Sequence, residues 1–124
     1  MELNDLQLFL KEAGILDYCL NKDGAYIDFP FGLDYITVKV KNGSKSRIFA
    51  EMFVLDCDFK LTFSTDETMA EVLRTAYPQI VCRGWHCPPV QAKYKSTVTM
   101  DKLPKETLLQ LIDLSYERAV SKLK

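Results

Sequence analysis

One apolar stripe near the C-terminus most constrains how this chain can fold. From residue 108 onward, apolar or small side chains recur at helical spacing, at Leu108, Leu111, Ile112, Ser115, Ala119 and Leu123. Pro104 precedes the stripe and suits the first turn of a helix. A helix with one apolar face has to bury that face against another element. We therefore predict a C-terminal amphipathic helix that packs on a partner from the rest of the chain.

The middle of the chain supplies strands for that partner. Apolar and polar residues alternate over 36–41, which predicts a half-buried strand with Thr37, Lys39 and Lys41 on its wet face. Asn42-Gly43 then predicts a hairpin turn. Further extended segments are predicted at 25–28, 47–55, 60–64, 80–82 and 96–100. The Pro88-Pro89 pair predicts a loop between the last two.

Two more helices are predicted from their capping residues. Asn4 and Gln7 fit a capping box, and Gly14 is either a C-cap or a kink before a second helical run at 15–20. Asp66 suits the N-cap of a helix that ends before Pro78. The order is helix, three to four strands, helix, two strands, helix. Hairpins without regular βαβ units predict an α+β fold, a small antiparallel sheet with terminal helices and one inserted helix.

Composition sets the broad class of protein. The chain has 124 residues, of which 48% are apolar, and a net charge of −1, which together favour a folded domain over disorder. No repeat or linker divides it, so we predict one domain over 1–124. No apolar run reaches membrane-spanning length, and the acidic start does not resemble a signal peptide. We expect a cytoplasmic protein with reduced cysteines, and a monomer because no heptads are present.

Basic residues are grouped along the chain. Residues 35–50 and 72–100 each hold four bases and no acid, whereas the segments around them are acidic. If the two stretches meet in the fold they form a basic face; the alternative is that the bases scatter over a solvated surface. The candidate nucleic-acid-binding residues from these stretches are Lys39, Lys41, Lys45, Arg47, Arg83, Lys93 and Lys95.

Catalytic and metal-binding patterns are weak. Cys82, His86 and Cys87 offer soft ligands, but no second pair has matching spacing, so free thiols are favoured over a zinc site. His86 beside Cys87 has no recognisable orienting group. Asp56 and Asp58 are typical of a solvated turn. Glycine-rich phosphate loops do not occur in the sequence. We therefore predict no catalytic residues, no cofactor, no metal and no enzymatic activity.

Aromatic residues form two groups with different expectations. Tyr26, Phe29, Phe31 and Tyr35 surround a rigid Phe29-Pro30-Phe31-Gly32 turn and favour an aromatic core over a platform for stacking bases. Trp85 and Tyr94 lie near predicted loops among bases, and both alternatives stay open for them. Tyr116, next to the C-terminal stripe, is predicted to pack with its hydroxyl tethered.

A series of short motifs runs in a fixed order from residue 15 to residue 123. They are Leu16-Asp17-Tyr18-Cys19-Leu20, Gly24-Ala25-Tyr26, Asp28-Phe29-Pro30-Phe31-Gly32, Arg47-Ile48-Phe49-Ala50, Asp66 with Ala70, Leu73 and Arg74, Tyr77-Pro78, Gly84, Ser96-Thr97-Val98, and Leu111-Ile112-Asp113-Leu114-Ser115-Tyr116. In this order and spacing they resemble the MmcQ/YjbR family. The resemblance implies a CyaY-like or secretion-chaperone-like α+β fold, no enzymatic activity, and DNA binding through a double wing of strand-connecting loops.

Three hypotheses for function follow from the charge pattern and the resemblance. In the first, the hairpin bases and the bases at 83, 93 and 95 form two wings that contact DNA phosphates with little base readout. In the second, the same sheet and loops bind a protein partner, as an adaptor would. In the third, Cys82, His86 and Cys87 hold a small molecule or a metal ion.

Overall fold

The fold combines four α-helices with one six-stranded sheet. The structure, a computed structural model, describes residues 4–29 and 34–123. Along the chain the elements are α1 (Asp5–Ala13), α2 (Ile15–Leu20), β1 (Ala25–Asp28), β2 (Tyr35–Asn42), β3 (Lys45–Leu55), β4 (Asp58–Ser64), α3 (Glu67–Ala76), β5 (Val81–Arg83), β6 (Lys95–Thr99) and α4 (Lys105–Lys122), with short 3₁₀ helices at Pro89–Lys93 and Met100–Lys102. The predicted aromatic turn falls mostly on residues 30–33, outside the described residues.

All strand pairs are antiparallel, in the order β1-β2-β3-β4-β6-β5. Helix α4 lies across β2, β3 and β4, and α3 packs at the other end of the sheet beside β5 and β6. The predicted α+β class and element order are confirmed. The N-terminal helical region is divided at Gly14, whose φ of 69° ends α1 and precedes α2.

The C-terminal stripe forms one wall of the core, as the sequence predicts. Its six residues are buried on α4 or at its C-terminal end, namely Leu108, Leu111, Ile112, Ser115, Ala119 and Leu123. The opposite wall comes from the alternating strands, whose buried side chains include Ile36, Val38, Met52, Leu61 and Val98. Burial of each large apolar side chain contributes roughly 1.5–3 kcal/mol, so this contact between α4 and the sheet dominates the stability of the fold.

The sheet face turned away from α4 differs from the expectation of a wet surface. Thr37, predicted to be exposed, is buried, and so are Thr62, Thr97 and Thr99. Three of these threonines are hydrogen-bonded: Thr62 Oγ1 and Thr97 Oγ1 share a bond of 2.7 Å, the Trp85 backbone N–H donates to Thr97 Oγ1 at 2.9 Å, and Lys60 Nζ donates to Thr99 Oγ1 at 2.7 Å. Alternation correctly separated the two faces, but the burial of the polar face depends on the loop that folds over it. The last strand also ends at Thr99, because Met100 begins a 3₁₀ turn.

A bulge in β3 splits the sheet next to α4. The pairing of β2 with β3 shifts between Val38 and Lys39, which leaves Phe49 as the extra residue on β3. The part of β3 that precedes Glu51 does not pair with β4. Ser115 bridges the gap from α4: its Oγ donates to the Phe49 carbonyl at 2.6 Å and accepts from the Ser64 N–H at 2.9 Å. The split therefore leaves an opening between the β2–β3 hairpin and the end of β4.

Polar contacts on the other side of α4 tie it to the N-terminal part of the fold. Asp113 accepts from Tyr18 Oη at 2.7 Å and from Lys22 Nζ at 2.6 Å. The Tyr116 hydroxyl donates to the Asp23 carbonyl at 2.6 Å, as its predicted tether requires, and its ring packs edge-on against Phe49. These bonds join α4 to α2 and to the turn before β1, so they bring residues from the two ends of the chain into contact.

The Asp113 contacts predict a pH-dependent contribution to stability. Burial raises the pKa of this carboxyl, but the bonds from Lys22 and Tyr18 outweigh burial and hold the pKa below its usual value. Because the pKa of Asp113 is lower in the folded state than in the unfolded state, its carboxylate stabilises the fold fully above about pH 4. This contribution to stability is lost as the pH falls through the folded-state pKa. At pH 7 we expect Asp113→Asn to lower the free energy of unfolding by about 0.5–1 kcal/mol, discounted because the side chain is 39% exposed.

Urea titrations of both proteins at pH 7 and pH 3 check this expectation. The difference between wild type and Asp113→Asn should be smaller at pH 3 than at pH 7, because the stabilisation by the carboxylate is lost as the pH falls toward its lowered pKa. A difference that stays constant with pH would show that Asp113 acts through packing and not through its charge.

The turn between β3 and β4 carries two left-handed residues. Leu55 pairs with Asp58, so Asp56 and Cys57 form a two-residue loop, with φ of 52° and 66°. Glycine is favoured at the second position of such a turn. We expect Cys57→Gly to raise the free energy of unfolding by about 0.5–1 kcal/mol, which a urea melt measures. Ser44→Gly in the other two-residue hairpin is the control, because Ser44 has no positive φ and should give no gain.

Candidate nucleic-acid interface

The split in the sheet opens into a cleft of about 600 Å³ that is lined by basic residues. We call it the basic cleft. Its bases are Lys39, Arg47, Lys95, Arg118 and Lys122. The other described lining residues are Ser46, Ile48, Ser64, Gln91, Tyr94 and Ala119, so no acidic side chain lies on the described part of the wall. A concave surface with charge of one sign focuses its potential on a ligand of the opposite sign.

Four elements bring these bases together. The β2–β3 hairpin contributes Lys39 and Arg47, and the first residue of β6 contributes Lys95, which pairs with Ser64 across the end of β4. Arg118 and Lys122 come from the last turns of α4 and lie four residues apart, on one face of the helix. The two acid-free stretches of the sequence therefore meet here, and α4 adds two bases to them.

Two contacts within or beside the cleft modulate its charge. Lys39 Nζ lies 2.8 Å from Asp28 Oδ2. The bond from Lys39 lowers the pKa of Asp28, and the same bond raises the pKa of Lys39. The Arg118 guanidinium lies over the Tyr94 ring, 4.7 Å from its centroid, in a cation–π contact. Lys39 is thus already paired with an acid, whereas Tyr94 orients Arg118 without neutralising it.

Arg74 on α3 fixes the loop that carries Lys95. Its guanidinium donates to the Ala92 carbonyl at 2.7 Å, to the Lys95 carbonyl, and to Ser96 Oγ at 3.2 Å. On the other side of Lys95, a Cβ built on Gly84 would lie 2.9 Å from the Lys95 Cβ, so only glycine fits there without a shift. Arg74 therefore acts as a structural clamp, and its charge is directed into the protein and not into the cleft.

The predicted binding residues separate into two groups. Lys39, Arg47 and Lys95 line the basic cleft, as described above. The other four lie outside its wall: Lys41 and Lys45 are exposed toward the tip of the β2–β3 hairpin, the Arg83 guanidinium donates to the Cys87 carbonyl at 3.0 Å, and Lys93 lies beside Glu67 and Glu71 in a separate surface pocket. The acids beside Lys93 make it the least suited to a phosphate.

Sequence reasoning missed Arg118 and Lys122. Both lie next to buried residues of the C-terminal stripe, and Glu117 adjoins them, so no acid-free run marks them. Their four-residue spacing was the available signal, because it places both on one helix face. Whether that face meets the other bases depends on how α4 crosses the sheet.

A second cavity, of about 440 Å³, lies on the sheet face turned away from α4. We call it the aromatic pocket. Its described lining consists of Tyr35, Glu51, Trp85, His86, Cys87, Pro88, Gln91 and Lys95. Gln91 and Lys95 also line the basic cleft, so the two cavities share a wall.

The other aromatic residues follow the sequence expectation only in part. Phe29 is 41% exposed, so the prediction that it belongs to an aromatic core is wrong. Tyr26 is half-buried, and Lys41 Nζ lies 5.6 Å from its ring centroid. Phe29 follows the edge strand β1, where none of the described elements covers it. Tyr35, in contrast, stacks on Phe53 with 5.0 Å between the ring centroids.

The cysteines and the single histidine do not form a metal-binding cluster among the described residues. Cys82 Sγ contacts the Thr97 carbonyl at 3.6 Å, and His86 packs on Trp85. Within residues 4–29 and 34–123 no three His, Cys, Asp or Glu side chains come close enough to hold a metal ion. Cys19 is buried in the core, and burial raises the pKa of its thiol to about 12, which keeps it protonated. In the same described ranges, every helix is too short or too polar to cross a membrane.

Fold and site together define an α+β domain with an open basic cleft at a split antiparallel sheet. The YjbR family profile matches residues 20–118, and the chain belongs to this family. The DR2400 protein of Deinococcus radiodurans has a similar crystal structure, with a TM-score of 0.71 and 32% identity over 81% of this chain and 71% of that one. A Pseudomonas syringae protein shares the fold at a TM-score of 0.69 and 15% identity, over 94% and 99% of the two chains. No curated protein matches the sequence significantly.

Proposed function

We propose that this protein is a non-enzymatic DNA-binding domain that holds the phosphate backbone in its basic cleft. The observation that carries the proposal is the convergence of five bases on one cavity whose described wall has no acid. Phosphates along a DNA strand are the regularly spaced anions that such a surface fits. Contacts of this kind position the protein on DNA and carry little sequence information.

The geometry of the β2–β3 hairpin supports the same proposal. The hairpin forms one side of the basic cleft, and its tip extends beyond the cleft with Lys41 and Lys45 exposed. The loop before β6 forms the other side with Gln91 and Lys95. A strand held between the hairpin and this loop keeps its neighbouring phosphates within reach of the tip. The tip lysines then add to affinity without lining the cleft.

The strength of the electrostatic contribution can be estimated. Because Lys39 already pairs with Asp28, we count Arg47, Lys95, Arg118 and Lys122 as the bases that release counterions from DNA. With four phosphate contacts, affinity should fall about 100-fold between 50 and 200 mM salt. Micromolar affinity at 50 mM salt therefore corresponds to a Kd of about 10⁻⁴ M near physiological salt, at the weak end of the range for sequence-independent binding.

Fluorescence anisotropy with a labelled 20-base-pair duplex of arbitrary sequence tests the proposal. We expect micromolar binding at 50 mM NaCl, a logarithmic salt slope of about −3.6, and equal affinity for an unrelated duplex sequence. Absence of binding at 50 mM NaCl with 100 µM protein would refute a role in DNA binding. The protein-interaction hypothesis would then take its place, because the exposed hairpin and loop remain available to a partner.

A further inference from the structure

The aromatic pocket is built on a continuous row of rings. Tyr35 stacks on Phe53 with 7° between the ring planes, Phe53 lies 4.9 Å from Trp85, and Trp85 lies 4.1 Å from His86, centroid to centroid. Trp85 is held in place by its backbone N–H, which donates to Thr97 Oγ1 of β6 at 2.9 Å. Trp85 contacts Phe53 and His86 and still remains 36% exposed, so part of its indole is open to the solvent. A flat ligand can pack on this open part of an indole whose position the sheet already fixes.

The loop around this row is held in an unusual conformation. His86 adopts a φ of 55°, which a residue with a side chain rarely takes. Local restraints maintain it: the Cys87 N–H bonds to the Gly84 carbonyl at 3.4 Å, and Arg83 donates to the Cys87 carbonyl at 3.0 Å. Such local strain is often concentrated at binding sites. Here it places the His86 ring against Trp85 at the rim of the pocket.

Polar groups on the pocket wall suit the edge of a heterocycle. The Glu51 carboxylate lies in the wall and accepts from the Tyr35 hydroxyl at 2.7 Å, which fixes its orientation. Gln91 adds an amide that both donates and accepts. Carboxylates and amides are groups that recognise the hydrogen-bonding edges of nucleobases.

The wall shared by the two cavities connects the aromatic pocket to the basic cleft. Gln91 and Lys95 line both cavities, so a phosphate next to Lys95 in the cleft has its own base within reach of the aromatic pocket. Stacking of a base on an aromatic side chain contributes about 1–3 kcal/mol and requires the base to be unpaired. A paired base in a duplex cannot enter the pocket.

We propose that the aromatic pocket takes one unpaired nucleobase of a DNA strand whose phosphates lie in the basic cleft. This inference rests on the proposed function and extends it from the backbone to a base. It assigns Trp85 as the stacking residue and Glu51 with Gln91 as the polar wall. We therefore expect the protein to bind single-stranded or locally unpaired DNA more tightly than a fully paired duplex.

Trp85 provides a direct reporter, because it is the sole tryptophan in the sequence. We expect an eight-nucleotide single strand to quench tryptophan fluorescence and to bind about tenfold more tightly than an abasic sugar–phosphate strand of equal length. A matched duplex should bind through the cleft without quenching. Equal affinity for the normal and abasic strands would overturn the pocket assignment while leaving backbone binding intact.

Two variants separate the pocket from the cleft. Trp85→Leu should bind the single strand about tenfold more weakly and lose the advantage over the abasic strand, with the duplex affinity and salt slope unchanged. Gln91→Ala, which leaves the ring row in place, guards against misfolding of the first variant and should reduce single-strand binding several-fold. Because Gln91 lines both cavities, its duplex affinity is measured as well: a loss confined to the single strand assigns the effect to the aromatic pocket, and an equal loss with the duplex assigns it to the basic cleft. A free deoxynucleoside monophosphate is the second comparison. If it quenches the fluorescence of Trp85 at the same concentration as the strand, the pocket is a site for single nucleotides, and the assignment to a DNA strand is overturned.

Discussion

Replacing Arg47, Lys95 and Lys122 together by glutamine should lower duplex DNA affinity several hundredfold at 100 mM salt. The three side chains line the basic cleft from three different elements. Each phosphate contact contributes slightly less than a factor of ten in affinity at this salt concentration, so three contacts contribute about 500-fold. The salt slope should fall by about 2.7 at the same time. Glutamine keeps the length of the side chain and removes the charge.

A matched control removes the same charge elsewhere. Three exposed lysines lie outside the wall of the cleft: Lys11 in the last turn of α1, Lys102 in the 3₁₀ turn before α4, and Lys105 at the start of α4. Lys105 and Lys122 are about 25 Å apart along α4. The triple glutamine variant of these three lysines should bind within about twofold of wild type. Equal losses in both triple variants would show that net charge, and not the cleft, attracts DNA.

Substitutions at the hairpin tip test whether the tip contributes less to duplex affinity than the cleft does. Lys41→Gln combined with Lys45→Gln should reduce affinity less than any two substitutions inside the cleft, because the tip contacts only the flanking phosphates in the proposed arrangement. Anisotropy titrations against the same duplex measure both. If the two tip substitutions reduced duplex affinity more than two cleft substitutions, the principal DNA contact would lie at the hairpin tip and not in the cleft.

Ser115→Ala should produce the largest loss of stability from a single hydroxyl. The Ser115 Oγ is buried and joins the Phe49 carbonyl to the Ser64 N–H across the split in the sheet. Its removal leaves a donor and an acceptor without this partner where little water reaches them. We expect the free energy of unfolding to fall by about 2–3 kcal/mol, because unsatisfied buried groups cost more than the bond itself.

Thermal and urea unfolding both measure this loss. For a chain of this length it corresponds to a decrease in Tm of about 10 °C. Ser121→Ala is the control on the same helix, since its exposed hydroxyl bonds only to the Arg118 carbonyl, and it should stay within about 0.5 kcal/mol of wild type. A Ser115→Ala variant as stable as wild type would mean that β3 and β4 can re-pair across the bulge.

The fold was predictable where local chemistry decides it. The Asn4 and Gln7 capping box and the Asp66 N-cap form as predicted, because each depends on hydrogen bonds between residues close in sequence. The predicted hairpin also forms, but its two loop residues are Gly43 and Ser44, since Asn42 pairs with Lys45. The α4 stripe is buried for a similarly general reason, since its helical spacing gathers apolar area on one side. Alternation also marked Thr37 as exposed, but Thr37 is buried, because the burial of a strand face depends on which elements pack over it and not on the polarity of its own residues.

The candidate site was predictable in its components but not in its assembly. Grouping by charge identified Lys39, Arg47 and Lys95, although these residues come from segments that are far apart in the chain. It also selected Lys93, which the structure places beside Glu67 and Glu71, and it omitted Arg118. Charge grouping records which residues are near in sequence, and the electrostatic potential depends on which are near in space.

By itself, the sequence determined the α+β class, the order of the elements and the core faces of β2 and α4, because periodicity and capping act over a few residues. Tertiary structure alone decided the two cavities. The bulge at Phe49 ends the pairing of β3 with β4, and the helix that crosses the split brings Arg118 and Lys122 to the same cleft as Lys95. Strand order and helix crossing are set by the packing of the whole core, which no local pattern contains.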